Sequence, residues 1–322
     1  DYPAMVALNN ALYPDYPSSA EEVRYNDEHR DPKSHFARFV AEHGGTLVAV
    51  GACGHYTGMF HPRKFFLGVD VHPDWQGRGI GTTLYDHILA SLDPFAPLAV
   101  SCQTRSDWAS ALHFVEARGY VERMRSWESR LDVAAFDERP FAGAEARTAA
   151  TGIALKTIAE LADDPGRDRK LYDLDVELGR DVPSPEPYTP ITFAHFQDRV
   201  LGDPNLIPEA YFVAVDAATG EYAGMSQLWN SQESADLYNG LTGVKRAYRR
   251  RGIALALKLR GIAFARSRRC PTIKTWNESN NRAMLSINEA LGFAKQPAWI
   301  DFVRVLREDG GAVAAPDGKG EG

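Results

Sequence analysis

Two short stretches of this sequence carry the residue types that hold an anionic ligand. Residues 69–84 read VDVHPDWQGRGIGTTL and residues 242–257 read TGVKRAYRRRGIALAL. Both fit the spacing Q/R-x-x-G-x-G/A. The first supplies Gln76, Gly77, Arg78, Gly79, Ile80, Gly81 and then Thr82; the second supplies Arg249, Arg250, Arg251, Gly252, Ile253, Ala254 and then Leu255. An apolar run precedes each loop and an amphipathic run follows, which predicts strand, loop and helix in that order. The first four N–H groups of a helix have no partner inside it, and the helix dipole favours negative charge there. Gly79 and Gly252 let the backbone approach a ligand without a Cβ in the way. Gly81 and Ala254 keep the first helical turn open. A pyrophosphate suits these features. A P-loop would need GK[ST], which is absent. A dinucleotide site would need G-x-G-x-x-G and an acidic residue about 20 positions on, which neither stretch supplies.

The two loops lie in an internal repeat. A shift of 173 residues places Phe39-Val40-Ala41 on Phe212-Val213-Ala214 and Arg78-Gly79-Ile80 on Arg251-Gly252-Ile253. It also places Gly119 on Gly292. Across residues 39–120, 16 of 82 pairs are identical with no gap, well above the roughly 6% that composition alone gives. A turn built of glycines would explain one loop; its recurrence at the same repeat position favours a ligand.

With these residues in hand, the sequence resembles the GNAT superfamily of acyl-CoA-dependent N-acyltransferases. The two loops look like its motif A. Residues 275–293, TWNESNNRAMLSINEALGF, and residues 101–120, SCQTRSDWASALHFVEARGY, resemble its motif B. The resemblance covers residues 39–131 and 153–306, and the tandem copies are similar to two-domain members of the superfamily. It implies an α/β (α+β) fold of two GNAT-like domains. Each would have a mixed, mainly antiparallel, splayed sheet flanked by helices. It further implies acetyl-CoA as acyl donor, with the pantetheine along Val69 and Val71 or along Thr242 and Val244. The pyrophosphate would sit on the loop amides. A small-molecule amine would be the acceptor.

The resemblance also points to catalytic positions, and both copies depart from them. Many members place a Tyr four residues before the motif B glycine; here that position holds Val115 and Asn288. Some place a Glu eleven residues before the motif A Q/R; here it holds Phe65 and Tyr238. The C-terminal copy is richer in polar groups, so Tyr238, Asn277 and Asn288 are its candidate catalytic residues. Asp181 and Glu186, in the loop DVPSPEP, are expected to cap the acceptor side. Asp70 and His72 flank the N-terminal cofactor strand, on the face opposite Val69 and Val71. Arg249–Arg251 are expected to meet the cofactor, and the basic run from Lys258 to Arg269 reads as a solvated helix face. A non-catalytic acyl-CoA sensor is the alternative that the missing Tyr and Glu favour.

These loops need a frame. The periodicity predicts helices over 4–12, 20–39, 82–92, 108–118 and 168–178, and strands over 46–53, 65–71, 98–102 and 153–157. The strand at 153–157 opens the C-terminal copy; its N-terminal counterpart would precede Asp1. Residues 1–131 and 153–307 form the two expected domains, 132–152 a linker without periodicity, and 308–322 a disordered tail. The chain has 322 residues, of which 44% are hydrophobic and 25% charged, as in ordinary globular proteins. Net charge is −7, which argues against nucleic acid as a partner. Only Tyr248 interleaves the arginines. No stretch is long and apolar enough to span a membrane. Cys53, Cys102 and Cys270 are too few and too far apart for a disulfide framework, which suits the cytoplasm. His55 and His61 do not make a metal site. The two copies are expected to pack as a pseudo-dimer within one chain.

Overall fold

The computed structural model describes residues 2–308. Expected tail residues 309–322 lie outside the described residues. The first copy begins with helices α1 (Tyr2–Leu12) and α2 (Ala20–Glu28) and strands β1 (Phe36–His43), β2 (Thr46–Gly54) and β3 (Lys64–Val71). It continues with α3 (Ile80–Ser91), β4 (Ala99–Arg105), α4 (Ala109–Glu116) and β5 (Val121–Asp132). After α5 (Ala144–Ala149) come β6 (Ile153–Thr157), α6 (Arg167–Gly179), α7 (Phe193–Phe196), β7 (Leu206–Asp216), β8 (Tyr222–Trp229) and β9 (Leu237–Val244). The chain then forms α8 (Ile253–Ser267), β10 (Thr272–Glu278), α9 (Arg282–Ala290) and β11 (Ala294–Val305). The repeat shift maps β3 onto β9, β4 onto β10 and β5 onto β11 end for end.

Two expectations are corrected. Residues 20–39 are not one helix. A capping box starts α2, with the Ser19 hydroxyl accepting from the Glu22 N–H and the Glu22 carboxylate accepting from the Ser19 N–H. His29 ends it, because Pro32 removes a donor and disfavours helix in the residue before it. The apolar residues Phe36 and Phe39 then belong to β1. The linker 132–152 contains α5, which packs on α8 through an ion pair of Glu145 with Arg260 at 2.9 Å.

All eleven strands form one sheet in the order β1-β2-β3-β4-β11-β5-β10-β9-β8-β7-β6. The pairings are antiparallel except β3 with β4 and β9 with β10. The last strands of the two copies are exchanged. β11 lies between β4 and β5, and β5 lies between β11 and β10. The cores follow this exchange: Ile300 and Phe302 of β11 are buried with Ile88, Leu92 and Val100 of the first copy. Leu131 of β5 is buried with Leu257, Ile273 and Phe293 of the second. A third cluster, around Leu171, Leu174 and Tyr211, seals α6 against the far end of the sheet.

Candidate functional site

Each phosphate-type loop is built the same way. Gly79 and Gly252, at φ +82° and +78°, are left-handed caps from which α3 and α8 start. One side chain at the same motif position tethers each loop to its strand. The Gln76 amide donates to the Val71 carbonyl at 3.0 Å, and Arg249 Nε donates to the Val244 carbonyl at 3.0 Å. Arg78 and Arg251 donate back to the carbonyls of Asp74 and Ala247, and lie over the Trp75 and Tyr248 rings. So the motif side chains shape the loop, and its free amides at the helix start face outward.

Both parallel pairings are short. β3 and β4 pair only from Lys64 to Phe66, and β9 and β10 only at Leu237 and Tyr238. Beyond those residues the strands part, so a V-shaped opening runs beside Val69 and Val71 and beside Thr242 and Val244. In the second copy this opening is a cavity of about 720 Å³. β9 residues 241–244 form one wall, the loop and first turn of α8 a second, and Asn281, Met284 and Ile287 of motif B a third. Such a volume is ordinary for a small-molecule site. The sequence pattern did not single out Leu178, Val182, Met284 and Ile287 as lining residues, because nothing local marks which face of a helix meets a cavity.

Comparison with known proteins agrees with this geometry. The model of the acetyltransferase (GNAT) family matches residues 3–120 and again 170–293. The chain belongs to the GNAT family. It is 25% identical over 252 residues to a mycothiol acetyltransferase of Thermobifida fusca (strain YX), covering 74% of each chain. Two solved structures share the fold. A tandem GNAT protein from the clavulanic acid biosynthesis pathway superposes with a TM-score of 0.75 at 18% identity, over 96% of this chain and 95% of that one. A GCN5-related N-acetyltransferase from Sphaerobacter thermophilus gives 0.67 at 20%, over 96% and 93%. Family membership makes the chain an N-acetyltransferase with two GNAT copies.

Seen as a GNAT protein, the C-terminal copy has a further local feature. Ser226 pairs with Thr242 and Leu228 with Asn239, so Gly240 and Leu241 bulge out of β9. β2 and β3 of the N-terminal copy pair without any shift from Ala49–Val71 to Gly54–Phe66. A bulge leaves backbone N–H groups outside the ladder and re-aims them.

The expected catalytic residues divide into two places. Asn288 Nδ2 donates to Asn277 Oδ1 at 2.6 Å, and the Asn288 side-chain Oδ1 is buried with no partner. Tyr238 sits apart from them, its ring parallel to Trp276 at 6.1 Å. Burial pushes its hydroxyl up to about 12, with Asp236 adding to the shift. Asp181 does not stand free at an acceptor mouth. It accepts from Arg246 at 2.6 Å and from Arg249, directly over the loop, and the Arg246 bond holds its carboxyl below the usual range. Glu186 instead reaches the N-terminal copy, pairing with Lys64 at 2.6 Å. Arg250 is exposed and takes φ +64°, the conformation that Gly77 has at +72°. Lys258 departs from the solvated face expected of its helix. It is buried, donates to Asn239 Oδ1 at 2.5 Å, and burial lowers its ammonium to about 7. Asn239 Nδ2 in turn donates to Thr242 Oγ1 at 3.2 Å, beside the cavity.

In the N-terminal copy different side chains pack around β3 and the first turn of α3. The Tyr13 hydroxyl donates to Asp70 at 2.5 Å, and burial raises the Asp70 carboxyl. Phe114 lies within 3.7 Å of where a Cβ on Gly81 would be, and Arg118 stacks 3.5 Å above it while donating to Thr82. His72 caps the short turn after β3 by accepting from the Asp74 N–H. Among the described residues no cluster of three or more His, Cys, Asp or Glu is placed to hold a metal, and no helix is long and apolar enough to cross a membrane.

Proposed function

We propose that the C-terminal copy transfers an acetyl group from acetyl-CoA to the amine of a small molecule. The observation that carries this is the cavity of about 720 Å³ between the splayed end of β9 and the phosphate-type loop. The pyrophosphate meets the amides of residues 249–255, with Arg250 free to take a further phosphate. Pantetheine runs along Thr242 and Val244. The thioester carbonyl points at the N–H groups released by the Gly240–Leu241 bulge, which favour the oxyanion of the tetrahedral intermediate. The amine nitrogen attacks the carbonyl carbon, the C–S bond breaks, and sulfur leaves with the electron pair. An ammonium gives up one proton to solvent before the attack, and the tetrahedral intermediate passes one further nitrogen proton to the leaving sulfur, giving the amide and free CoA. In this reading Asn277 and Asn288 order the motif B side of the cavity, and Tyr238 contributes through the aromatic wall it shares with Trp276. The loop residues Gln76–Thr82, with Val69 and Val71, are a second version of the same cradle. Residues 1–131 and 153–307 act as a pseudo-dimer in the cytoplasm, with no nucleic-acid or membrane partner; the exchange of β5 and β11 supports that arrangement.

Calorimetric titration with acetyl-CoA, followed by thiol release in the presence of amines, tests the proposal. Binding near 1:1 with amine-dependent CoA release is the expected result. Absence of binding at millimolar acetyl-CoA overturns it. Binding without thiol release for any amine favours a sensor of acyl-CoA.

A further inference from the structure

A second cavity, of about 430 Å³, is lined in part by chain neighbours of residues that line the first. The two are divided by the same two segments. Asp181 and Val182 face the first cavity while Pro183, Ser184 and Pro185 face the second; Asn281 faces the first and Asn280 the second. A ligand in the second cavity therefore sits beside the C-terminal end of β10, next in sequence to residues that line the first.

Its two charged walls come from different copies. Glu278, at the end of β10, has a carboxylate fixed by three donors: Ser279 Oγ at 2.9 Å, the Asn280 N–H at 2.8 Å and Asn280 Nδ2 at 2.9 Å. None of these carries a positive charge, and an ionised carboxylate has about four acceptor positions. Across from it stands Arg123 of β5, brought in by the strand exchange. Met124 pairs with Asp301 and Glu122 with Phe302, so Arg123 is the extra residue of a β-bulge, a placement that turns a side chain out of its ladder. Arg125 close by is held by Glu122 at 2.8 Å, whereas Arg123 has no ion-pair partner among the described residues. The walls between are Met124, Pro183 and Pro185.

We propose that this cavity is the acceptor site and that its substrate is a zwitterion of the amino-acid class. The ammonium group lies against Glu278 and a carboxylate or similar anion against Arg123. This rests on the acetyl-transfer reading of the C-terminal copy. The charges also separate the copies: the repeat equivalent of Glu278 is Arg105, paired with Asp107 at 2.8 Å, which repels an ammonium. Glu278 and Arg123 are specificity residues; the reaction is the one written above.

The test compares acetyl transfer to L-amino acids, to the matching amino-acid amides and to n-alkylamines, with acetyl-CoA affinity measured separately. The wild type is expected to use at least one amino acid with kcat/KM about tenfold or more above its amide, which at about 1.4 kcal/mol per tenfold is the scale of one ionic contact. Glu278→Gln is expected to raise KM for the amine more than it lowers kcat. Arg123→Gln is expected to remove the preference for acid over amide, and Arg123→Glu to reverse it; rescue by Arg123→Lys separates charge from folding. Equal use of acids and amides by the wild type overturns the proposal, as does a preference that survives Arg123→Gln and Arg123→Glu. Acetyl-CoA binding without transfer to any amino acid also overturns it while leaving the donor site intact. Loss of wild-type acetyl-CoA binding overturns both readings.

Discussion

Gly77 and Arg250 hold the same place in the two phosphate-type loops, and both are left-handed. Around them the copies diverge. Beside the N-terminal strand and helix start lie Tyr13, Asp70, Phe114 and Arg118; the C-terminal opening is a cavity with a bulged wall. At the repeat position where Tyr85 meets Tyr120 and Arg304 in the first copy, the second buries Lys258 against Asn239. One backbone thus supports two cradles with different side chains around them. The difference lies in side chains that reach in from elements outside the motif. Family motifs locate the cradle, and the side chains around it differ between the copies.

The sharpest way to break this contrast is to block each loop in turn. Gly252→Trp is expected to weaken acetyl-CoA binding by about 100-fold or more, roughly 2.7 kcal/mol, while Gly79→Trp leaves it within about threefold. Calorimetry reads both, with circular dichroism to check folding at these left-handed positions. The opposite order would make the N-terminal copy the donor site.

The buried amine offers the next largest effect. Unfolded chain protonates Lys258 below about 10.5, whereas folded protein does so only below about 7. Between those values the unfolded state holds more protons, so stability rises with pH and flattens below pH 7. Relative to Lys258→Met, the wild type is expected to gain on the order of 3 kcal/mol from pH 7 to pH 10 in denaturant titrations. Parallel curves for the two proteins would show that the amine stays charged in its site.

Exchanging the loop residues probes a smaller term. Arg250→Gly relieves a left-handed side-chain position and is expected to stabilise the chain by about 1 kcal/mol while loosening acetyl-CoA through the lost guanidinium. Gly77→Arg is expected to destabilise by a similar amount. Thermal melts and titrations check the pair; a lower Tm for Arg250→Gly would mean that the guanidinium is itself structural.

The least effect expected is at Asp181, which occupies Arg246 and Arg249 when no phosphate is present. Asp181→Asn is expected to tighten acetyl-CoA by about threefold, with the gain shrinking as salt rises. Weaker binding would show that Asp181 holds the loop in shape.

Much of this was legible in the sequence. The glycine caps and the two copies follow from spacing and repetition, the splayed strands from the family resemblance, and β6 was expected with its bounds, Ile153–Thr157. What stayed hidden depends on contacts between distant residues. The 20–39 segment reads as helix because Phe36 and Phe39 continue an apolar pattern across Pro32. Nothing local to β5 says that its neighbours will be β10 and β11, and so nothing pointed to Arg123. The partner of Asp181 was equally out of reach, since a carboxylate in a proline-rich loop looks solvated until the fold places two arginines beside it.

The exchanged strands also set a timetable for synthesis. Asp132 finds its partner in Thr272, so β5 leaves the ribosome well before either of its neighbours exists. At about 5–20 residues per second, that is a wait of about 7–28 s with both hydrogen-bonding edges bare. The N-terminal half cannot finish folding as a unit during that interval, and its apolar β4 edge stays open longer still, until β11 emerges. Fast elongation through residues 133–305, or a chaperone that shelters a lone strand, is therefore as much a part of making this enzyme as its motifs are.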